Sequence, residues 1–241
     1  NYGYIGEIVN CVNMFDSASK KGYKLDSNRQ LKEIRNYLAL YNGQHNDYVN
    51  IDCLLVDQGA GGGGVSTYAD GLLNDWVGDD GRMHRGLIDE SHEIYTGYKS
   101  RYPNAVDKLR LISPRKYRTQ MVDEFIELMN LGVIKFPYEY KQEYITISQE
   151  TDNGEKIERY DLTDDEIISL ANIDLMKTET TSIYKYENAE KTTKTYALAK
   201  DKESTMHDDR FYVLIMLAHR LYELRRGQII TTDTPKADYS A

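Results

Sequence analysis

The chain has 241 residues, a net charge of −9 and an ordinary apolar share of 40%, so it is long enough to bury a core as one large domain or two small ones. No apolar run approaches bilayer length and no signal-peptide pattern precedes the first predicted strand. The acidic balance counts against a large surface that tracks phosphates irrespective of sequence. It does not exclude chemistry in which acids subtract charge and bound metal ions restore it locally. Cys11 and Cys53 sit in apolar, strand-like contexts and read as reduced core residues, which favours an intracellular setting. The 21 tyrosines read as a compositional habit of the source.

In chain order, residues 4–15 read as a β-branched, apolar strand. Turn chemistry at Asp16 to Gly22 and a returning strand at Tyr23 to Leu25 would make the chain open in a hairpin. Asp26 or Ser27 then caps a helix with Leu31, Ile34, Leu38 and Tyr41 on one face. Val49 to Val56 reads as a strand covered on both faces, ending at Asp57. A glycine-rich stretch over 59–64 leads to a helix through Leu72, Leu73 and Trp76, and residues 78–102 read as irregular. Lys108 to Ile112 is a strand. Tyr117 to Leu131 is a helix with Met121, Val122, Phe125, Leu128 and Met129 inward, ended by Gly132, and Val133 to Phe136 is a short strand stopped by Pro137. Residues 138–172 read as a charged, partly helical elaboration with a helix start near Leu162 to Glu166; Ile173 to Thr180 is ambiguous. Thr181 to Glu187 and Thr192 to Leu198 form a late hairpin before the last long helix, and residues 227–241 are a polar tail. Alternating strands and helices indicate an α/β fold with a mixed sheet in a single domain over 1–241.

Two acids open the last helix, in Met206-His207-Asp208-Asp209-Arg210. Clustered carboxylates beside a buried element are costly unless neutralised, commonly by a divalent cation. At about 100° per residue, an inward seam of Val213, Leu214, Leu217, Leu221 and Leu224 places Asp209 at its edge and points Asp208 away. Asp209 is then the better metal candidate and Asp208 a solvated helix-start residue favoured by the dipole. Helix capping is the plain alternative for both. Asp57 ends a strand, where ligands collect in open α/β sheets; a turn aspartate bonding its own loop is the alternative. The glycine run lacks the Gly-Lys-Ser/Thr that closes a Walker A loop and fits a dinucleotide fingerprint poorly, so it reads as a permissive loop. No zinc-type spacing joins the five histidines. His207 could orient a water or a phosphate, and Arg115, Lys116 and Arg118 form the densest basic cluster and could meet a DNA backbone.

Taken together, Leu54-Leu55-Val56-Asp57 with its glycine-rich loop and helix, Gly132 to Pro137 after a helix, and the late hairpin running into His207-Asp208-Asp209-Arg210 resemble the nuclease domain of the terminase large subunit of tailed bacteriophages. The pieces come in the family's order over residues 50–226. The resemblance implies an RNase H-like mixed central sheet flanked by helices. Its acidic cluster would hold two Mg²⁺ or Mn²⁺ ions and cut double-stranded DNA concatemers during genome packaging in the host cytoplasm. It places Asp57 and Asp209, or else Asp208, in that cluster. It implies as partners DNA, an ATPase domain of the same protein, the portal and the small terminase subunit, with no membrane. The family's first catalytic aspartate lies on an initial strand that precedes a two-strand hairpin. Asp16-Ser17-Ala18 superficially resembles the Asp-Pro-Ala after that strand, but its turn setting, and the setting of Glu7 inside a strand, lead to the expectation that the first strand, its acid and the ATPase domain lie upstream of Asn1. Another RNase H-like nuclease of resolvase or transposase type, and a non-catalytic interaction domain, are the alternatives.

Overall fold

Residues 1–2, 21, 23, 44, 46, 59–69, 152–153, 189–192 and 233–241 apart, the computed structural model describes the whole chain. In order the elements are β1 (Gly6–Glu7), α1 (Met14–Lys20), α2 (Ser27–Tyr41), β2 (Leu54–Asp57), β3 (Trp76–Val77), β4 (Met83–His84), β5 (Leu87–Ile88), two short helical turns left unnumbered (Glu93–Tyr95 and Tyr98–Arg101), β6 (Val106–Asp107), β7 (Leu109–Ile112) and α3 (Pro114–Asn130). They continue with β8 (Ile134–Lys135), β9 (Tyr144–Thr151), β10 (Gly154–Asp161), α4 (Asp164–Thr181), β11 (Ile183–Asn188), β12 (Thr193–Leu198) and α5 (Asp209–Thr232). The fold class is mixed α/β. Among the described residues the strands pair in twos: β1 with β8, β2 with β7 and β5 with β6 in parallel, and β3–β4, β9–β10 and β11–β12 as antiparallel hairpins. The chain divides into two compact units, residues 14–117 and residues 1–13 with 118–241. Helix α3 carries a non-helical residue, Tyr117 (φ −109°, ψ 16°), where that division falls.

In the unit of residues 14–117, Asp26 caps α2 by accepting from the Arg29 N–H at 2.9 Å, as its side-chain oxygen suits it to do. Leu38 is buried from this helix, while Tyr41 is 48% exposed and lies off the core face. The core gathers Leu38, Leu72, Leu73, Leu87, Ile88 and Leu109. Tyr48 is wholly buried in it and adopts a left-handed backbone (φ 57°), a conformation a bulky side chain tolerates only when its surroundings hold it there. Its hydroxyl donates to the Arg85 carbonyl at 2.6 Å and accepts from the Trp76 indole at 2.9 Å. Burial pushes that phenol up to about 12, so it serves as a donor throughout the physiological range. The register Leu54↔Leu109 to Asp57↔Ile112 joins β2 to β7.

Several expectations change here. Among the described residues the opening hairpin is not formed: Asp16 lies within α1, and Lys24 and Leu25 are in no strand. Strand β1 pairs instead with a distant parallel partner, with Gly6 N–H donating to Val133 and Ile8 N–H to Lys135 at 2.8 and 2.9 Å. Local turn residues could not reveal that pairing. Strand β2 is shorter than Val49 to Val56, and Trp76 lies in β3 rather than a helix. The glycine run over 59–64 falls outside the described residues.

In the unit of residues 1–13 and 118–241, α3 buries Met121, Val122, Phe125 and Leu128, while Met129 is 40% exposed. Its end is a Schellman motif: Val133 N–H reaches the Leu128 carbonyl, and Gly132 N–H reaches that of Met129. Gly132 sits at φ 65° with open space where a Cβ would stand. Gly132→Ala is therefore expected to cost about 1–2 kcal/mol from left-handed strain alone, measurable as a lowered urea midpoint with unchanged slope.

Residues 144–151 and 154–161 form an exposed antiparallel pair of strands, and the stretch over 138–172 read as partly helical is helical from Asp164 on. The expected helix start is present: Thr163 and Glu166 make a reciprocal capping box on α4, which also takes in the ambiguous Ile173 to Thr180. The late hairpin is present as β11–β12 and is tied to α3 through Asp123, which accepts from the Tyr196 hydroxyl at 2.8 Å and pairs with Lys194. Partial burial raises the Asp123 carboxyl, but the hydrogen bonds from Lys194 and Tyr196 outweigh it and hold the group below its ordinary 3.8. A depressed folded value contributes stability above the unfolded value that is lost as pH falls through the folded one. The stability gap between wild type and Asp123→Asn should thus narrow as pH drops below about 4, in urea titrations run across that range. Among the described residues, no helix is long and apolar enough to cross a membrane.

Candidate functional site

The apolar run Phe211 to Ala218 makes α5 a helix with more than one candidate inward face, and packing decides between them. Phe211, Leu214, Ile215 and Ala218 are buried, whereas Val213 and Leu217 are 45% and 44% exposed. The stripe follows the i, i+3, i+4, i+7 spacing but is rotated from the seam expected through Val213 and Leu217. On the observed face Asp208 lies roughly 70° from the centre and Asp209 roughly 170°. The burial order of the two acids is accordingly the reverse of the expected one: Asp208 is half-buried and Asp209 exposed.

Asp208 occupies the cap position, its carbonyl accepting from the Tyr212 N–H at 3.0 Å. Its carboxylate turns to Arg118 of α3, with Nη2 2.7 Å from Oδ2. The Arg118 guanidinium also donates to the Tyr212 hydroxyl and lies 4.6 Å from that ring's centroid, while its Nε is buried with no hydrogen-bond partner. Arg118 therefore serves an internal ion pair rather than an outward basic cluster. Arg115 and Lys116 are exposed, the latter 5.1 Å over the Tyr117 ring. His207 is exposed ahead of the acidic pair.

Arg210, the last residue of the motif, turns inward. Its Nη1 lies 2.7 Å from Glu179 Oε1, and its Nε and Nη2 donate to Asn172 Oδ1 at 3.1 and 2.9 Å. Glu179 Oε2 accepts from the backbone N–H groups of Arg210 and Phe211 at 2.9 and 3.1 Å. This anchor was missed in the sequence. Its signal was an acid on the buried stripe of α4, three and six residues after Met176 and Ile173.

In the other unit, Asp57 is the exposed last residue of β2, at the carboxyl end of the parallel pair with β7. The next residue, Gln58, is fixed: its N–H donates to Ile112, and its side-chain amide donates to Leu111 and stands 2.9 Å from His92 Nε2. His92 comes from the segment read as irregular, and no spacing in the sequence pointed to it.

Carboxylates are the right donors for a hard divalent cation; Asp209 presents one in its unit and Asp57 one in the other, while that of Asp208 is paired with Arg118. Among the described residues, no three His, Cys, Asp or Glu side chains gather to hold a metal ion. Comparisons with models of protein families, with curated proteins and with solved structures give no match for this chain.

Proposed function

We propose that this chain is a divalent-metal-dependent endonuclease, the RNase H-like nuclease domain of a tailed-bacteriophage terminase large subunit, cutting double-stranded DNA concatemers during packaging in the host cytoplasm. The observation that carries the reading is where the acidic motif falls: His207-Asp208-Asp209-Arg210 opens a long helix with a buried stripe shortly after the β11–β12 hairpin. Asp57 adds support by closing a strand of a parallel pair, where ligands collect in α/β sheets.

In this reading Asp209 of one unit and Asp57 of the other are each proposed as a carboxylate ligand to metal. Asp208 is neutralised by Arg118, which leaves Asp209 as the exposed carboxylate of the pair. Two Mg²⁺ or Mn²⁺ ions held there would supply the Lewis acidity that phosphodiester hydrolysis calls for. Arg115 and Lys116, both exposed, are the side chains proposed to meet DNA phosphates. By resemblance, an ATPase domain of the same protein, the portal and the small terminase subunit are its partners. The test is plasmid nicking with Mn²⁺ alongside calorimetric titration of Mn²⁺ into the chain, for wild type, Asp57→Asn and Asp209→Asn. Absence of divalent-ion binding, or nicking that persists in both variants, would overturn the reading.

A non-catalytic interaction domain is the second reading, and the Arg118–Asp208 pair favours it, since an internal ion pair accounts for one acid of the motif without any metal. The same titration separates the two.

A further inference from the structure

We infer that Glu179 of α4 is the positioning residue of the acidic helix start, capping α5 from outside and thereby fixing where Asp209 presents its carboxylate. The functional half of this inference rests on the nuclease reading; the capping half does not.

The first four N–H groups of any helix lack partners within it. Those of Arg210 and Phe211 are among them, because α5 begins at Asp209. The usual remedy is the side chain of the cap residue, but the carboxylate of Asp208 is turned to Arg118. A single oxygen, Glu179 Oε2, takes both N–H groups instead. The carboxylate is only 3% exposed, so its charge lies in a poorly screened setting at the positive end of the helix dipole.

The second oxygen completes the clamp by taking Arg210 Nη1, and Asn172, two turns earlier on the same helix, takes the other two guanidinium donors. The Asn172 amide is oriented for this by donating to the Ile168 carbonyl at 3.0 Å. Backbone and side chain of Arg210 are thus held by one helix, which fixes both the height and the rotation of the first turn of α5. The backbone of Asp209, the residue before Arg210, belongs to the turn that Glu179 anchors. Glutamine cannot reproduce this, since its –NH₂ would face either the two N–H groups or the guanidinium, donor against donor.

The experiment uses the full chain and Glu179→Gln. Hydrogen exchange of the Arg210 and Phe211 amides should speed up by about fivefold or more, the loss a missing cap brings, while amides of Leu214 to Ala218 hold. The Mn²⁺ concentration giving half-maximal plasmid nicking should rise about tenfold, with the maximal rate recovered at saturating Mn²⁺. A purely structural role would lower the amount of active protein and leave that concentration unmoved. Glu179→Asp, which keeps the charge beside Arg210 but is a methylene short of the amides, gives the same comparison if the Gln variant fails to fold. Unchanged exchange at both amides overturns the capping role, and an unchanged half-saturating Mn²⁺ with loosened amides overturns the positioning role. A wild-type chain that takes up no Mn²⁺ while its amides respond rejects the nuclease reading alone and supports the cap.

Discussion

Asp209→Asn is expected to lower Mn²⁺-dependent nicking by at least the roughly 100-fold that loss of an outer-shell partner alone can cost a metal site, and to do so with little effect on the fold. Asparagine keeps the shape of the side chain and removes the formal charge on which a hard cation depends. Asp209 is exposed in the first turn of α5, so the metal-free protein loses only its interaction with the helix dipole, about 0.3–1 kcal/mol. For a chain of this size that is about 1–4 °C in Tm. Asp208→Asn should behave in the opposite way, because it strips Arg118 of its carboxylate and so acts on stability first. Nicking assays at saturating Mn²⁺, paired with calorimetric melting in chelator, resolve the two. Nicking by Asp209→Asn within twofold of wild type would remove Asp209 from the site.

The largest effect on stability is expected from Arg210→Ala. The substitution leaves the 3%-exposed Glu179 and the 5%-exposed Asn172 without the guanidinium that faces both. Breaking a buried pair by removing one partner costs about 3–5 kcal/mol, because the other charge stays buried; in Tm that is roughly 6–20 °C. Replacing both charges by apolar residues, as in Arg210→Met with Glu179→Leu, should recover part of the loss, which sets the burial of charge apart from the size of the side chain. Urea unfolding followed by far-ultraviolet circular dichroism measures both. A loss below about 1 kcal/mol for Arg210→Ala would place the pair among exposed ones.

Local signals in the sequence carried the elements that are locally specified. Asp26 and the Thr163–Glu166 box announced their helices, Gly132 announced the end of α3, and the β-branched runs on either side of residue 190 announced the late hairpin. Where a strand depends on a distant partner, as β1 does on β8, the turn-like residues that follow it suggested a hairpin that does not form. The site was legible in part for the same reason. The acids stood out as residue types, but their orientation follows from which stripe of an almost wholly apolar segment is buried, and only Phe211, Ile215 and Ala218 in contact with their neighbours decide it. Glu179 was legible only as an oddity, a charge on an apolar stripe, since its partner lies 31 residues away.

That separation has a consequence for how the chain acquires its shape. A cap supplied by the preceding residue exists as soon as a helix begins, but one supplied from α4 exists only after a loop of about 31 residues has closed, at an entropic cost that grows as the logarithm of its length. Helix α5 can therefore form its middle turns, where Leu214 to Ala218 lie, before its first turn is secured. The cap on the first turn, and with it the setting of the acidic motif, is completed only when α4 docks. A fragment of this chain that begins after Thr181 would keep the sequence of the motif and lose the geometry that gives it meaning.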